Sequence, residues 1–313
     1  MKVGFVVDPL GSLHKTKDTS MLLMQYASQQ GYEVWCCDSD KLYFDSEVCA
    51  LMQKVIVDLS SEPQFEVVSQ CNLSIKDLDI CFIRKDPPVD EHYISMLQLL
   101  SIVEDLPGSP FWINSPRALL MANEKLYGLR FAEYFPPTVI SCSSHQIIKF
   151  QEELRSTLVI KPLNEYSSRG IFVVSETDIN RDCILKQGTK NDTDYVIAQK
   201  FLERVTQGDK RVFFIDGEVK GVVSRIPRTG EYRCALGLGA SVELSLLTTK
   251  EKQICLELAE TFRSDGMFFV GIDIIDGHLI EVNVTSPTVV RQYCELSGDP
   301  MDTWIYEKIL EKI

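Results

Sequence analysis

Basic residues are scarce in this sequence. Its 313 residues include 32 Lys and Arg against 45 Asp and Glu, which gives a formal net charge of −13 at pH 7. Proteins that bind nucleic acid or an anionic membrane depend on basic surfaces, so this charge argues against both kinds of partner. It leaves a phosphate ligand open, because a few Lys and Arg side chains that converge on one site are enough to bind it.

Long apolar runs and CxxC motifs are also missing. The apolar run near the N-terminus ends at Asp8 and Pro9, which makes it too short for a signal sequence or a membrane span. The ten cysteines are scattered without a CxxC pair, a pattern typical of reduced thiols, so we expect a cytoplasmic protein. Packing within a strand is the simplest explanation of the adjacent Cys36 and Cys37, with a redox role as the alternative.

The first third of the chain alternates strands and helices. Strands are predicted at KVGFVVD, EVWCC, LDICFIRKD and SPFWINSP, with a helix at DTSMLLMQYASQQ. Alternation of this kind indicates a parallel sheet, whose ligands gather at the carboxyl ends of the strands. Asp8, Arg84 and Asp86 lie at such ends, so this edge of the sheet is a candidate substrate site.

From about Asn123 the pattern becomes α+β. Helices are predicted at NEKLYGLRFAEYF, EKQICLELAETFRSDG and DTWIYEKILEKI, the first of them ended by Pro136-Pro137. Strands are predicted at LVIKPL, IFVV and YVIAQKFL, followed by a strand pair that turns at Asp216-Gly217. No internal repeat or low-complexity tract interrupts this part of the chain.

The segment GIDIIDGHLIEVNVTSPT predicts a hairpin with three polar residues inside its strands, Asp273, Glu281 and Asn283. A two-residue turn at Asp276-Gly277 would place Asp273 and Glu281 on opposite faces. A three-residue loop would place all three side chains on one face. Three oxygen donors without His or Cys suit a hard cation such as Mg²⁺. The alternative is an ordinary solvent-exposed strand face.

Several cations lie where apolar strands end. Lys161 ends LVIKPL, Arg225 ends GVVSRIP, and Arg211 adjoins Asp209 at the start of another strand. Lys125 opens the helix after Asn123. Singly, each is most simply a surface charge. Together they would supply the positive charge that a triphosphate needs beside a carboxylate-bound metal.

The segments RKDPP, NEKL, IKPL, GDKRV, SRIP, FVGIDII and EVNVTSP occur along the chain in this order. In order and spacing they resemble the bacterial glutathione synthetases of the ATP-grasp superfamily, over essentially the whole chain. The resemblance implies an α/β protein with an N-terminal Rossmann-like parallel-sheet domain at 1–122. It also implies an ATP-grasp fold with a lid subdomain at 123–200 and a C-terminal α+β catalytic domain at 201–313.

The resemblance also implies the ligands. ATP would lie between the lid and the C-terminal domain, with Mg²⁺, or Mn²⁺ as the alternative, and the catalytic residues would be Arg211, Arg225 and Arg233. The nucleotide-binding residues would be Lys125, Lys161, Gln199, Lys200, Phe201, Leu202, Asp209 and Arg211. The metal would be held by Asp273, Glu281 and Asn283.

The implied substrates are γ-glutamylcysteine and glycine. The cysteinyl carboxylate would be phosphorylated, and the amine of glycine would attack the acyl phosphate. Substrate contacts are expected from Asp18, Arg84, Asp86, Ser286, Thr288 and Arg291, although Asp18 could equally be only a helix N-cap. The segment IPRTGEYRCALGLGA would close over the site. A homotetramer is implied as the assembly.

Two segments depart from the family pattern. A glycine-rich phosphate loop is expected after IKPL, but this chain has NEYSSRG, where Ser167, Ser168 and Arg169 are the candidate phosphate contacts. In the closing segment, Cys234 and Ala235 follow Arg233, where a small residue and Asn are expected. Two alternatives therefore remain open: a paralogue that joins a different carboxylate to a different amine, and a nucleotide-binding protein without turnover.

Overall fold

The computed structural model describes residues 1–14, 16–166 and 168–313, which form three sheets with helices packed against them. The strands are β1 Lys2–Val7, β2 Glu33–Asp38, β3 Leu42–Asp45, β4 Glu47–Val57, β5 Phe65–Ser74, β6 Ile80–Ile83, β7 Phe111–Ile113, β8 Thr138–Ser141, β9 Leu158–Pro162, β10 Phe172–Val174, β11 Val196–Lys200, β12 Asp209–Ile215, β13 Glu218–Ile226, β14 Ser241–Leu244, β15 Phe269–Ile275 and β16 His278–Asn283. The α-helices are α1 Thr19–Gln29, α2 Glu91–Glu104, α3 Pro116–Met121, α4 Ser144–Leu154, α5 Arg181–Gly188, α6 Thr249–Ser264, α7 Val290–Ser297 and α8 Met301–Leu310.

The N-terminal sheet has the order β3-β4-β2-β1-β6-β7, and β5 pairs with β4. The predicted parallel sheet is confirmed, since β1 runs parallel to β2 and β6, and β6 runs parallel to β7. Its central strand β1 is buried on both faces, as helices on the two sides of a parallel sheet require. The sequence did not predict β3, β4 and β5, which extend the sheet with antiparallel pairs.

The lid sheet is antiparallel, in the order β10-β9-β11-β8, and the predicted strands at LVIKPL, IFVV and YVIAQK are confirmed. Helices α4 and α5 cover it and enclose a small core that includes Ile147, Ile160 and Ala198. Strand β8 and these two helices were not predicted. The two central strands of this sheet, β9 and β11, carry the buried polar residues Lys161 and Gln199.

The C-terminal sheet has the order β14-β13-β12-β15-β16, and all its neighbouring strands are antiparallel. The predicted helix at NEKLYGLRFAEYF is wrong. Residues Tyr127–Tyr134 form 3-10 turns, interrupted at Phe131 by a non-helical backbone. Tyr127 and Phe135 are buried in the core, and packing of so short a segment against β16 outweighs its weak helix preference.

The adjacent cysteines lie inside β2, where both are buried. Burial raises the pKa of the Cys37 thiol to about 12, so this thiol stays protonated at neutral pH. Their position agrees with packing rather than redox chemistry. Among the described residues, no helix has the length and apolarity needed to cross a membrane.

Candidate active site

A cavity of about 690 Å³ is lined by residues of the N-terminal region, the lid and the C-terminal sheet. Most of the residues predicted from the sequence converge on it. Those that line it are Asp18, Asp86, Lys125, Lys161, Gln199, Lys200, Phe201, Leu202, Asp209, Arg211, Arg225, Arg233, Asp273, Glu281, Asn283, Ser286 and Thr288. One continuous space therefore contacts the predicted nucleotide, metal and substrate residues together.

The predicted metal ligands share one face of the hairpin, but the turn that places them there differs from the predicted one. The predicted three-residue loop is wrong, because Ile275 pairs with His278 and the turn has two residues. Both turn residues have positive φ, 50° at Asp276 and 68° at Gly277, as a type I′ turn requires. A β-bulge then leaves Ile280 unpaired and sets Asp273 opposite Glu281, so the predicted shared face is confirmed.

Asp273 lies at the centre of a buried ion network and is only 5% exposed. Its Oδ1 accepts from Arg211 Nε at 2.6 Å, and its Oδ2 accepts from Arg211 Nη2 at 3.0 Å and Asn283 Nδ2 at 3.1 Å. Arg225 Nη2 lies 3.0 Å from the same Oδ2 and also bonds Asp209. Burial alone would raise the pKa of Asp273, but the two guanidinium groups outweigh it and hold this pKa below its usual range.

Two lysines face Glu281. Lys125 Nζ lies 3.1 Å from Glu281 Oε1 and donates to the carbonyl oxygen of Glu165 at 2.6 Å, so it connects the hairpin to the lid. Lys161 Nζ donates to Gln199 Oε1 at 2.8 Å. Burial lowers the pKa of Lys161 to about 8, although Glu281 opposes the effect. Lys161 is therefore a buried cation with an amide partner, suited to meet an incoming anion.

The lid edge and the segment 227–240 close the opposite wall. The backbone N–H groups of Lys200 and Phe201 donate to Pro137 and Thr157, which fixes this strand end in place. Tyr232 packs edge-on against Phe201, with ring centroids 6.1 Å apart, and its hydroxyl donates to the Ile171 carbonyl at 3.3 Å. The segment predicted to close the site thus lies against the lid in this structure.

The substrate side is built around Asp86. Ser286 Oγ donates to Asp86 Oδ1, which joins the N-terminal sheet to the loop after β16. Burial raises the pKa of Asp86, and the hydrogen bond from Ser286 and the charge of Arg84 oppose this. Asp18 also lines the cavity, while its Oδ1 caps α1 by accepting from the Ser20 and Met21 amides at 2.7 and 3.1 Å.

The structure does not place two predicted substrate residues on the cavity wall. Arg84 is buried, and it donates to Ser20 Oγ at 3.2 Å and to the Pro287 carbonyl at 3.0 Å, so it braces the wall from behind. Arg291 is on α7 and pairs with Glu295 at 3.1 Å. Direct contact of either arginine with substrate stays a prediction.

The predicted metal set has two carboxylates and one amide. No cluster of three or more His, Cys, Asp or Glu side chains suited to a metal occurs in residues 1–14, 16–166 and 168–313. The oxygens of Asp273, Glu281 and Asn283 nevertheless share one strand face that opens on the cavity. An oxygen-only donor set fits Mg²⁺, which usually completes its shell with water and phosphate. Such an ion would compete with Arg211, Arg225 and Lys125 for the carboxylates.

Comparison with known proteins identifies the family. The prokaryotic glutathione synthetase N-terminal domain matches residues 1–119, and the prokaryotic glutathione synthetase ATP-grasp domain matches residues 124–298. The chain belongs to the prokaryotic glutathione synthetase family. Glutathione synthetase of Parasynechococcus marenigrum is 36% identical over 310 residues, 99% of each chain. That of Synechocystis is 35% identical over 308 residues, 95% of each chain.

Solved structures agree on the fold. D-cycloserine synthetase DcsG superposes with a TM-score of 0.65 at 14% identity over 94% of each chain. D-alanine–D-alanine ligase from Bacillus anthracis gives 0.58 at 12% identity, over 99% of this chain and 96% of that one. The predicted ATP-grasp fold is therefore confirmed. As a glutathione synthetase family member, the chain is an ATP-dependent carboxylate–amine ligase.

Glu124 is the main site residue that the sequence reading missed. It is 9% exposed, and its Oε1 accepts from the Val284 amide at 2.9 Å, the Thr285 amide at 3.0 Å and the Thr285 hydroxyl at 2.9 Å. Burial raises the pKa of Glu124, and the charge of Glu281 adds to this. Its place beside Lys125 in NEKL, a segment that carries the family resemblance, was the available signal.

Both departures from the family pattern line the cavity. Tyr166, Ser168 and Arg169 replace the expected glycines and face the site, whereas Ser167 lies outside the described residues. Cys234 and Ala235 face it from the closing segment. The altered positions are thus placed where they can influence ligand binding.

Proposed function

We propose that this ligase joins γ-glutamylcysteine to glycine and releases ADP and phosphate. The observation that carries the proposal is the single cavity in which the oxygen-bearing face of the hairpin meets buried cations and, at its other end, Asp86 and Ser286. Family membership and the names of its cyanobacterial relatives support the substrates.

The proposed reaction has two balanced steps. An oxygen of the cysteinyl carboxylate attacks the γ-phosphorus of ATP, the bond to the β-phosphate oxygen breaks, and ADP leaves. The glycine amine then attacks the acyl carbon, the acyl–oxygen bond breaks, and phosphate leaves while the amine loses a proton. Both steps need positioning and neutralisation of charge more than covalent help from the protein.

The proposed roles of the cavity cations follow the family resemblance. Lys125 and Lys161 bind the nucleotide phosphates, and Arg211 contacts the phosphoryl group in transfer. Arg225 and Arg233 stabilise the negative charge that develops on the acyl oxygen. Residues 199–202 bind adenine, and Asp209 lies near the nucleoside. The two oxygens of Asp209 accept from Arg225 at 2.8 and 2.5 Å, which fixes the position of that guanidinium.

Asp273, Glu281 and Asn283 would hold Mg²⁺, or Mn²⁺ as the alternative. The metal would supply neutralisation of the charge on the phosphate oxygens. This chain's own contribution is to present three oxygens on one rigid face. Arg211 and Arg225 balance Asp273, and Lys125 balances Glu281, while these carboxylates are not coordinating a metal.

Asp18, Asp86, Ser286 and Thr288 are proposed to contact the peptide substrate or the acceptor amine. Arg84 would act on the same region from behind the wall, and Arg291 is proposed to serve the same substrate carboxylates. The segment 227–240 would exclude water from the acyl phosphate, and the contacts of Tyr232 with the lid support this. A homotetramer is proposed from the family resemblance. A cytoplasmic location is proposed from the scattered cysteines, with neither nucleic acid nor membrane as a partner.

The test is phosphate release by the purified protein with Mg-ATP and a panel of acids and amines. We expect release to require both γ-glutamylcysteine and glycine, and Glu281→Gln to reduce kcat by at least about 100-fold. Glu281 is substituted instead of Asp273, because removing Asp273 from the buried ion network would also destabilise the fold. Glu260→Gln, on the exposed face of α6, is the matched control and should stay active.

A ligase for a different acid and amine is the second candidate, favoured by Cys234 and Ala235 on the cavity wall. Release of phosphate with another pair, but not with γ-glutamylcysteine and glycine, would establish it and refute the proposed specificity. Binding of ATP without release across the whole panel would instead favour a nucleotide-binding protein without turnover.

A further inference from the structure

The segment 227–240 carries a carboxylate that holds a cavity arginine. Glu231 Oε1 accepts from Arg233 Nε at 3.0 Å, and Glu231 Oε2 accepts from Arg233 Nη2 at 2.7 Å, which makes the pair bidentate. The same Oε1 accepts from the backbone amides of Tyr232 and Arg233, at 2.9 and 3.1 Å. One carboxylate therefore fixes the backbone of Arg233 and the direction of its guanidinium together.

This pair differs from an ordinary surface ion pair. The side chain of Glu231 is only 9% exposed, whereas that of Arg233 is 33% exposed and lines the cavity. The hydrogen bonds from Arg233 lower the pKa of Glu231 to about 2, so this carboxylate is charged at neutral pH. An exposed pair of two long side chains is usually loosely ordered. Here four hydrogen bonds to one partly buried carboxylate restrict the rotamers of the arginine.

The partner of Arg233 belongs to the closing segment itself. Arg211, by comparison, pairs with Asp273 on a strand of the C-terminal sheet, 62 positions away. Glu231 lies two residues before Arg233, inside the segment 227–240. The direction of this guanidinium is therefore set within the segment, whatever position the segment takes over the cavity.

Tyr232, between the two charged residues, holds the pair against the lid. Its ring packs edge-on against Phe201, with centroids 6.1 Å apart, and its hydroxyl donates to the Ile171 carbonyl at 3.3 Å. The Arg233 guanidinium lies 5.9 Å from the centroid of the Tyr232 ring. Adjacent residues thus fix the contact of the segment with the lid and the direction in which Arg233 points.

We propose that Glu231 is a positioning residue, which orients Arg233 toward the acyl oxygen when the amine attacks. This role rests on the proposed function, because that reaction supplies the charge that Arg233 stabilises. The bidentate pair occupies two of the five N–H groups of the guanidinium and leaves three for a ligand. A donor that acts on charge developing in the transition state affects kcat more than KM, so loss of its orientation should appear in kcat.

The test is the steady-state kinetics of phosphate release by the full chain with Mg-ATP, γ-glutamylcysteine and glycine. Glu231→Gln keeps one oxygen for the Tyr232 and Arg233 amides, but its amide nitrogen cannot accept from Arg233 Nη2. We expect this variant to lower kcat about tenfold, with KM for each substrate within about twofold of wild type. Glu243→Gln, an exposed glutamate of β14, is the matched control and should keep the wild-type kcat.

A double-mutant cycle separates positioning from a merely structural role. Arg233→Ala alone should lower kcat about 100-fold. The double variant with Glu231→Gln should be no slower than Arg233→Ala, because Glu231 acts through Arg233. A further loss of about tenfold in the double variant would overturn the inference, since Glu231 would then act independently of Arg233.

Two other results would overturn the inference and leave the proposed function standing. One is a wild-type kcat in Glu231→Gln, and the other is a raised KM with an unchanged kcat, which would make Glu231 a binding residue. A wild-type protein that releases no phosphate with any acid and amine would overturn the proposed function and the inference together. Thermal unfolding at the wild-type temperature confirms that each variant is folded.

Discussion

At the scale of single residues, the site is organised by the pairing of buried charges. Asp273 and Arg211 are 5% and 4% exposed, so each charge has lost most of its hydration and is stabilised by its partner instead. Arg225 and Asp209 complete a set of two guanidinium groups and two carboxylates. The set keeps carboxylate oxygens beside the cavity, and its guanidinium groups reduce the electrostatic repulsion between the two carboxylates. A polyanion and its metal would enter a site whose charges are already positioned.

If Lys161 binds the nucleotide phosphates, nucleotide binding should depend on pH. Its pKa is lowered to about 8 by burial, so its charge is present below pH 8 and is lost as the pH rises through that value. If the charged form binds phosphate, the Kd for Mg-ATP should rise about tenfold between pH 7 and pH 9. Calorimetric titrations across this range measure it. Lys161→Arg, which keeps its charge, should bind with a flat profile, and an equal rise in that variant would refute the assignment.

The sequence predicted many of the residues that line the cavity, but it did not predict which of them pair with each other. Lys125, Lys161 and Glu281 were found from strand ends and from the family resemblance, and all three line the cavity. The pairing of Arg211 with Asp273 spans 62 positions, and no local pattern contains it. Glu124 was missed for the same reason, since its partners lie 160 residues further on. Arg84 was expected in the cavity because it ends a strand, yet its side chain turns back toward Ser20.

At the scale of elements, the hairpin has one feature that a local sequence pattern predicts, its turn, and one that it does not predict, its bulge. Asp276-Gly277 predicts a turn correctly, because a type I′ turn needs two residues that tolerate positive φ. The bulge at Ile280 has no comparable signature, so the register was derived with the wrong loop length. Strand β5 was missed for a related reason. Most of β5 is exposed, which removes the apolar alternation that would reveal a strand.

The turn should be sensitive to a side chain at Gly277. Its φ of 68° is left-handed, and a Cβ there would meet Lys250 Cδ at 3.4 Å, an ordinary contact, so the cost is one of backbone conformation. We expect Gly277→Ala to lower the free energy of unfolding by about 1 kcal/mol. Urea denaturation measures this change. Gly11→Ala is the control, since Gly11 has no positive φ and an open surrounding, and an equal loss there would contradict the explanation.

At the scale of the whole molecule, the N-terminal and C-terminal sheets share their cores, whereas the lid has its own. Phe82 of β6 packs against Tyr306 of α8, with ring centroids 5.6 Å apart, and Tyr26 of α1 stacks on Tyr306 at 4.7 Å. The lid core around Ile160 and Val196 is separate and smaller. One large body therefore carries the hairpin, and a smaller one carries Lys161 and Arg169.

This division predicts where a nucleotide will slow hydrogen exchange. A lid with a small separate core should open locally more often than the large body, and opening would release a nucleotide held between the two. With Mg-ATP at about 100 times its Kd, linkage stabilises the closed form by about 2.7 kcal/mol, so exchange in β9 and β11 should slow by up to about 100-fold. Exchange in β1 and β2, inside the large body, should change little. Mass spectrometry of peptides with and without Mg-ATP measures both regions, with Glu281→Gln as the weakly binding control. Equal slowing in the two regions would show that the lid does not open separately, and that the shared cavity binds its ligand as part of one rigid unit.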